Sequence, residues 1–140
     1  MTQERHIRAA IAMIAIFLAS GIWLEAMYGL RADGWLDDPL RREFMRLGHA
    51  HGSLLAMLNV VMAVALERLR TPERWAAKIR VAGVLGASLV GIGFFGGGLW
   101  HGPTDPGPMV LLVPAGAFML VTSLVAVAVL RPTDMDEFVE

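Results

Sequence analysis

Four stretches of this chain, 9–24, 47–66, 81–100 and 109–130, are apolar over about the length needed to cross a bilayer, and the last two contain no charged residue. At about 1.5 Å per residue, a helix of this length spans or nearly spans a hydrocarbon core about 30 Å thick. The expected fold is all-α: a single domain over residues 1–140, with four transmembrane helices in an up-down bundle. An apolar content of 56% and a mean hydropathy of +0.56 exceed what a soluble domain of this size usually carries.

The helices are expected over about 8–30, 47–69, 78–100 and 108–130, followed by a mobile acidic tail over 132–140. Between the first two, residues 31–46 mix Asp33, Gly34, Asp37, Asp38 and Pro39 with Trp35, Leu36, Leu40 and Phe44. That mixture predicts a structured interfacial loop with a short amphipathic turn. Thr71 is the expected N-cap ahead of helix 3, with Pro72 at the first helical position. Pro103, Pro106 and Pro108 force a tight non-helical connection into helix 4, and Pro114 is a candidate kink.

Arg5 and Arg8 ahead of an apolar run resemble the start of a secretory signal, but the run continues to Leu24 before Glu25, so an uncleaved first helix is expected. Lys and Arg in short loops resist translocation. With both termini cytoplasmic the inner side carries Arg5, Arg8, Arg68, Arg70, Arg74, Lys78, Arg80 and Arg131, and the outer side only Arg31, Arg41, Arg42 and Arg46. N-in, C-in in a bacterial-type inner membrane is the expected orientation. A net charge of −1 without a basic stripe excludes a nucleic-acid partner, and the lack of cysteine excludes disulfides and thiolate chemistry.

In that orientation His49, His51 and His101 fall at the same outer face as Glu25 and Tyr28. Rotation of about 100° per residue puts Gly52 and Ala56 on the side of helix 2 that carries His49, and His51 about 200° away. An imidazole above a glycine and alanine groove suits a flat macrocycle that needs an axial donor, with Gly93 and Gly97 on helix 3 as a second flat wall. His49 is therefore the candidate metal ligand, and Gly52, Ala56 and His101 are candidate cofactor contacts. Glu25 is expensive near the end of a spanning helix unless paired or hydrated, and it could orient a histidine or act as acid or base. The bland readings are helix packing for the small residues, headgroup contacts for the histidines, and an aqueous position for Glu25. Asn59 is expected to hydrogen-bond across helices, and His6 is assigned no role.

The nine methionines are scattered singly rather than clustered, which favours core filling over copper binding. No H-x-x-x-H or E-x-x-H pair puts two metal ligands on one helix face.

The string GHAHGSLLAMLN at 48–59 resembles the second-helix signature of the small four-helix membrane isomerases of the styrene oxide isomerase and hydroxylaminobenzene mutase group. That signature has a histidine, a small residue two or three positions on, then Asn-Gly at the sixth and seventh positions. His49, Gly52 and Ala56 match the histidine and the small positions, while Leu55 stands in place of the asparagine and Ala56 in place of the glycine. The glycine-rich third helix ending in His101-Gly102-Pro103-Thr104 is also similar, although it has no internal Tyr or Asp.

The resemblance implies a haem b at a trimer interface, with His49 as axial ligand. Ferric iron then serves as a Lewis acid on the oxygen of a small apolar substrate arriving from the lipid, an epoxide or hydroxylamine, and Tyr28, Glu25 or His51 move protons. Two other readings stay open: a non-enzymatic bis-histidine haem protein for electron transfer or haem handling, and a cofactor-free accessory subunit. A homo-oligomer is expected in each case, because four thin walls enclose little interior.

Overall fold

Helix starts and stops follow from local capping chemistry. In the computed structural model, which describes residues 1–130, the Thr2 hydroxyl accepts from the Arg5 N–H at 3.4 Å and opens α1, Gln3–Gly29. Arg31 turns the chain with a φ of +48°, and the N–H groups of Leu30 and Ala32 bond back to Ala26 and Met27. Asp38 then caps α2, Pro39–Arg68, by accepting from the Arg41 N–H at 2.9 Å, with Pro39 pre-set for the first helical position.

So α2 begins two turns before the expected residue 47, and 39–46 is helix rather than interfacial loop. Hydropathy alone missed these turns because Arg41, Arg42, Glu43 and Arg46 make them polar, whereas the Asp-Pro pair that starts them is a capping signal.

The next helix, α3, runs Glu73–Leu99, starting earlier than residue 78. Pro72 rather than Thr71 occupies its N-cap position. The Thr71 hydroxyl is buried without a hydrogen-bond partner among the described residues, while the Thr71 N–H closes the end of α2 on Leu66. A 3-10 turn at Pro108–Leu111 leads into α4, Leu112–Val129. Pro114 is the third residue of α4, where its missing N–H removes no intrahelical bond, so it belongs to the helix start and not to a mid-helix kink. The acidic tail expected over 132–140 lies outside the described residues.

At about 1.5 Å per residue the 27 residues of α1 and of α3 each reach about 40 Å, and all four helices are long and apolar enough to cross a membrane. The architecture is all-α, consistent with an integral membrane protein. Helices α2 and α3 form the central pair; α1 lies on α2 and touches α3, α4 lies on α3 and touches α2, and α1 and α4 do not meet.

Small residues set these approaches. Gly86 and Gly116 bring α3 and α4 so close that a Cβ on either would sit within 2.8 Å of the other's carbonyl oxygen. Between α1 and the central pair, the Phe17 ring fills the space left by Gly52 and Gly91, next to buried Ala56, Ala87 and Val90. Large apolar side chains such as Ile16, Ile22, Val61 and Phe118 point outward, as a hydrocarbon solvent requires. Trp23, Tyr28 and Trp100 lie toward one end of the bundle, and Trp75, with the Lys78 ammonium 4.9 Å over its ring, toward the other.

Candidate functional site

The α1–α2 interface carries the site. His49 lies on the side of α2 that faces α1, and it fits there because Gly21 has no side chain: a Cβ at Gly21 would clash with Cε1 and both nitrogens of the imidazole ring, all closer than 3.0 Å. Its Nδ1 is 2.7 Å from the Phe17 carbonyl oxygen. A carbonyl can only accept, so Nδ1 carries the proton, and in the neutral ring Nε2 keeps its lone pair. The Ser20 hydroxyl donates to the same oxygen at 2.6 Å, which fixes the acceptor further.

Beside this ring, α1 and α2 diverge into an open cleft of about 1010 Å³. Leu18, Ile22, Leu47 and Ala50 give it apolar walls, and Glu25, Tyr28, Glu43 and Arg46 add polar groups toward the end of the bundle that carries Tyr28. The structure thus brings three of the sequence-derived site residues, His49, Glu25 and Tyr28, to one cleft. Glu43 and Arg46, an exposed ion pair 3.6 Å apart, are cleft residues that sequence reasoning missed. Their one signal was the capping pair Asp38-Pro39, which makes them helical and sets them on the two α2 turns before His49.

The other candidates lie elsewhere. His51 is turned away from α1: its Nδ1 donates to the Leu47 carbonyl at 3.0 Å, and its ring lies 5.0 Å from that of Phe94 on α3. Gly52 and Ala56 are buried, the first under Phe17 and the second in the central core, so their surfaces are already covered by protein. Gly93 and Gly97 pack against Val113 and Met109 and against Phe44 and Val110, so they seat side chains rather than form an open wall.

His101 is engaged at both nitrogens. Nδ1 donates to the Gly102 carbonyl, and Nε2 donates to Asp38 Oδ2 at 2.8 Å. Neither acceptor can donate, so the bonded ring is an imidazolium with no lone pair for a metal. The Gly102 carbonyl first, then the Asp38 carboxylate, raise its pKa above the ordinary histidine value, against some desolvation and the charge of Arg41. Desolvation works to raise the Asp38 pKa, but the Arg41 N–H, the His101 bond and the two cations outweigh it and hold the carboxyl below its usual range. The pair ties the start of α2 to the α3–α4 connection, and sequence reasoning had no means to join residues so far apart.

A second cavity, about 400 Å³ and almost wholly apolar, lies on the other side of α1, between Met13, Phe17, Ile92, Phe95, Leu99 and Met109. Among the described residues no group of three or more His, Asp or Glu is placed to hold a metal ion. No protein-family model, no curated protein and no solved structure matches this chain.

Proposed function

We propose that the protein is a haem b-binding isomerase of a bacterial-type inner membrane, acting on a small apolar substrate of the epoxide or hydroxylamine type in the α1–α2 cleft. The observation that carries this reading is the state of His49. Its Nδ1–H is spent on the Phe17 carbonyl and its Nε2 lone pair is unspent, beside a broad and largely apolar cleft. Metal-binding histidines are commonly oriented by just such a second hydrogen bond. A single imidazole is too small a donor set for a bare ion, but it suffices for a metal that arrives with a macrocycle of its own.

The residues fit the group on that ground, with His49 holding it and Gly21 leaving room for the ring. When bound, ferric haem supplies a Lewis acid for the substrate oxygen. The chain supplies the rest. Leu18, Ile22 and Leu47 keep water from the apolar part of the cleft, and Glu25 or the Tyr28 hydroxyl holds or moves a proton at its polar end. His51 takes no part within one chain. The cleft opens sideways, so a homo-oligomer closes it, a trimer by resemblance to the isomerase group. An N-in orientation, supported by the cluster of cations at the Trp75 end, sets the polar end of the cleft at the outer face.

The bis-histidine alternative is disfavoured by His51 and His101, neither of which faces the cleft. An absorption spectrum of the detergent-purified protein, repeated on His49→Ala, tests the reading. A Soret band that is lost or displaced in the variant supports it, and an unchanged band rules out His49 as ligand. A colourless wild-type protein favours the cofactor-free accessory subunit.

A further inference from the structure

Helices α1 and α4 both pack on α3 but do not meet, and toward the Trp100 end a gap remains between α1 and the 3-10 turn that opens α4. The apolar cavity of about 400 Å³ occupies that gap. Its lining repeats at helical spacing: Met13, Ile16, Phe17 and Ser20 follow one face of α1, and Ser88, Ile92, Phe95, Gly96 and Leu99 one face of α3, with Met109 on the far wall. The space is therefore a groove that runs along both helices, and the rise from Ser88 to Leu99 gives it a length of about 16 Å.

Its dimensions, polarity and opening select the occupant. A volume of about 400 Å³ over about 16 Å leaves a mean cross-section of about 25 Å², about a quarter of that of an α-helix about 10–12 Å across. A helix of a second copy does not enter such a groove, whereas a single unbranched chain does. Water is also excluded. The hydroxyl protons of Ser20 and Ser88 are spent, on the Phe17 carbonyl at 2.6 Å and on the Met13 sulfur at 3.8 Å. Only their two oxygens remain, at different depths, because Ser20 stands about two turns of α1 from Met13, and a buried water needs about 2–4 polar partners in one place.

The groove opens sideways. Ile16, Ile92 and Leu99 on its rim are exposed, on a surface that suits hydrocarbon and not water. Trp100, also exposed, stands at its end, an amphipathic ring of the kind that marks the polar boundary of a bilayer. Left empty, the walls would forfeit dispersion contacts that a hydrocarbon chain restores.

We propose that this groove binds one acyl chain of a bilayer lipid, held lengthwise against α1 and α3 with its headgroup end at Trp100. The chain lies against Phe17, whose backbone carbonyl accepts from His49 on the other side of α1. The lipid thus packs behind the turn that positions the His49 ring, and the site stands whether or not His49 holds a haem.

Methionine methyl groups supply the test, because Met13 and Met109 line the groove from opposite walls. Met57, exposed on α2, reports bulk lipid, and Met62, 2% exposed, reports the packed core. The full-length protein, with carbon-13 methionine methyls assigned by single Met→Leu exchanges, is placed in nanodiscs of phosphatidylcholine. The expected result is cross-relaxation from acyl methylene protons that is stronger at Met13 and Met109 than at Met57, because a held chain moves with the protein, and absent at Met62. Acyl contacts weaker at Met13 than at Met57, water contacts at Met13, or contacts there from a differently labelled second copy would each overturn the proposal. In Ser88→Phe, which fills the deep end of the groove, the acyl contact to Met13 is expected to fall several-fold with that at Met57 unchanged, and an undiminished Met13 contact would also overturn it. The wild-type measurement decides by itself if that variant does not fold.

Discussion

The Nδ1 of His49 lies 2.7 Å from the carbonyl oxygen of Phe17, so the backbone of α1 selects the tautomer of a side chain on α2. The relationship depends on a third residue, Gly21, whose lack of a side chain lets the ring lie against α1.

Gly21→Ala is therefore expected to displace the His49 ring and break its bond to Phe17, at a net cost of about 1 kcal/mol. Nitrogen-15 NMR should show His49 passing from a single Nδ1–H tautomer to a mixture. An unaltered tautomer in this variant counts against the role given to the Phe17 carbonyl.

The Asp38–His101 pair makes the link between the start of α2 and the α3–α4 connection sensitive to pH. The folded-state pKa of His101 is raised. Its stabilisation is thus complete below the ordinary histidine value of about 6.5 and is lost as pH climbs through the raised one. The pKa of Asp38 is lowered, so its stabilisation is present above the ordinary value and is lost as pH falls through the lowered one. The connection is held most firmly between these limits. Asp38→Asn should return the His101 titration, followed by NMR, toward its ordinary value, and a titration that stays put would contradict the pairing.

Gly86 faces the Gly116 backbone, which has no side chain to move aside. Gly86→Val is expected to cost about 1–3 kcal/mol by forcing α3 and α4 apart. Gly29→Ala, with open space where the Cβ would go, should stay within about 0.5 kcal/mol of wild type. Equilibrium unfolding in detergent of the two variants side by side measures the contrast; equal losses would show that the Gly86–Gly116 approach does not limit packing.

Asn59→Ala leaves the buried His6 Nε2–H without its acceptor, at an expected cost of about 1–2 kcal/mol. His6→Phe added to Asn59→Ala should recover part of that loss, because the orphaned donor goes with it. A double-mutant cycle reads the coupling between the two positions, and additive effects would deny it.

Much of the fold was legible in the chain. The apolar windows 47–66, 81–100 and 109–130 name three of the spanning helices, and 9–24 the fourth. The start of α2 was legible too, but in Asp38-Pro39 rather than in hydropathy, because capping acts on the backbone whatever the polarity of the turn that follows. The site was less so. Helical rotation separated His49 from His51 by face, and Glu25 and Tyr28 could be set near the same level. The distance from His101 to the others was not readable, because its ring is drawn to Asp38, 63 residues earlier.

The sequence by itself determined that four segments are helical and long and apolar enough to cross a membrane, and where those helices end, though not where most of them begin, since length and apolarity are local properties of the chain. Only the tertiary structure decided which ring nitrogens of His49, His101 and His6 are engaged. That depends on acceptors supplied by other parts of the chain, the Phe17 carbonyl for His49, the Asp38 carboxylate for His101 and the Asn59 amide for His6. A proton on an imidazole goes where the nearest acceptor is, and nearness across helices is set by packing, not by position along the chain.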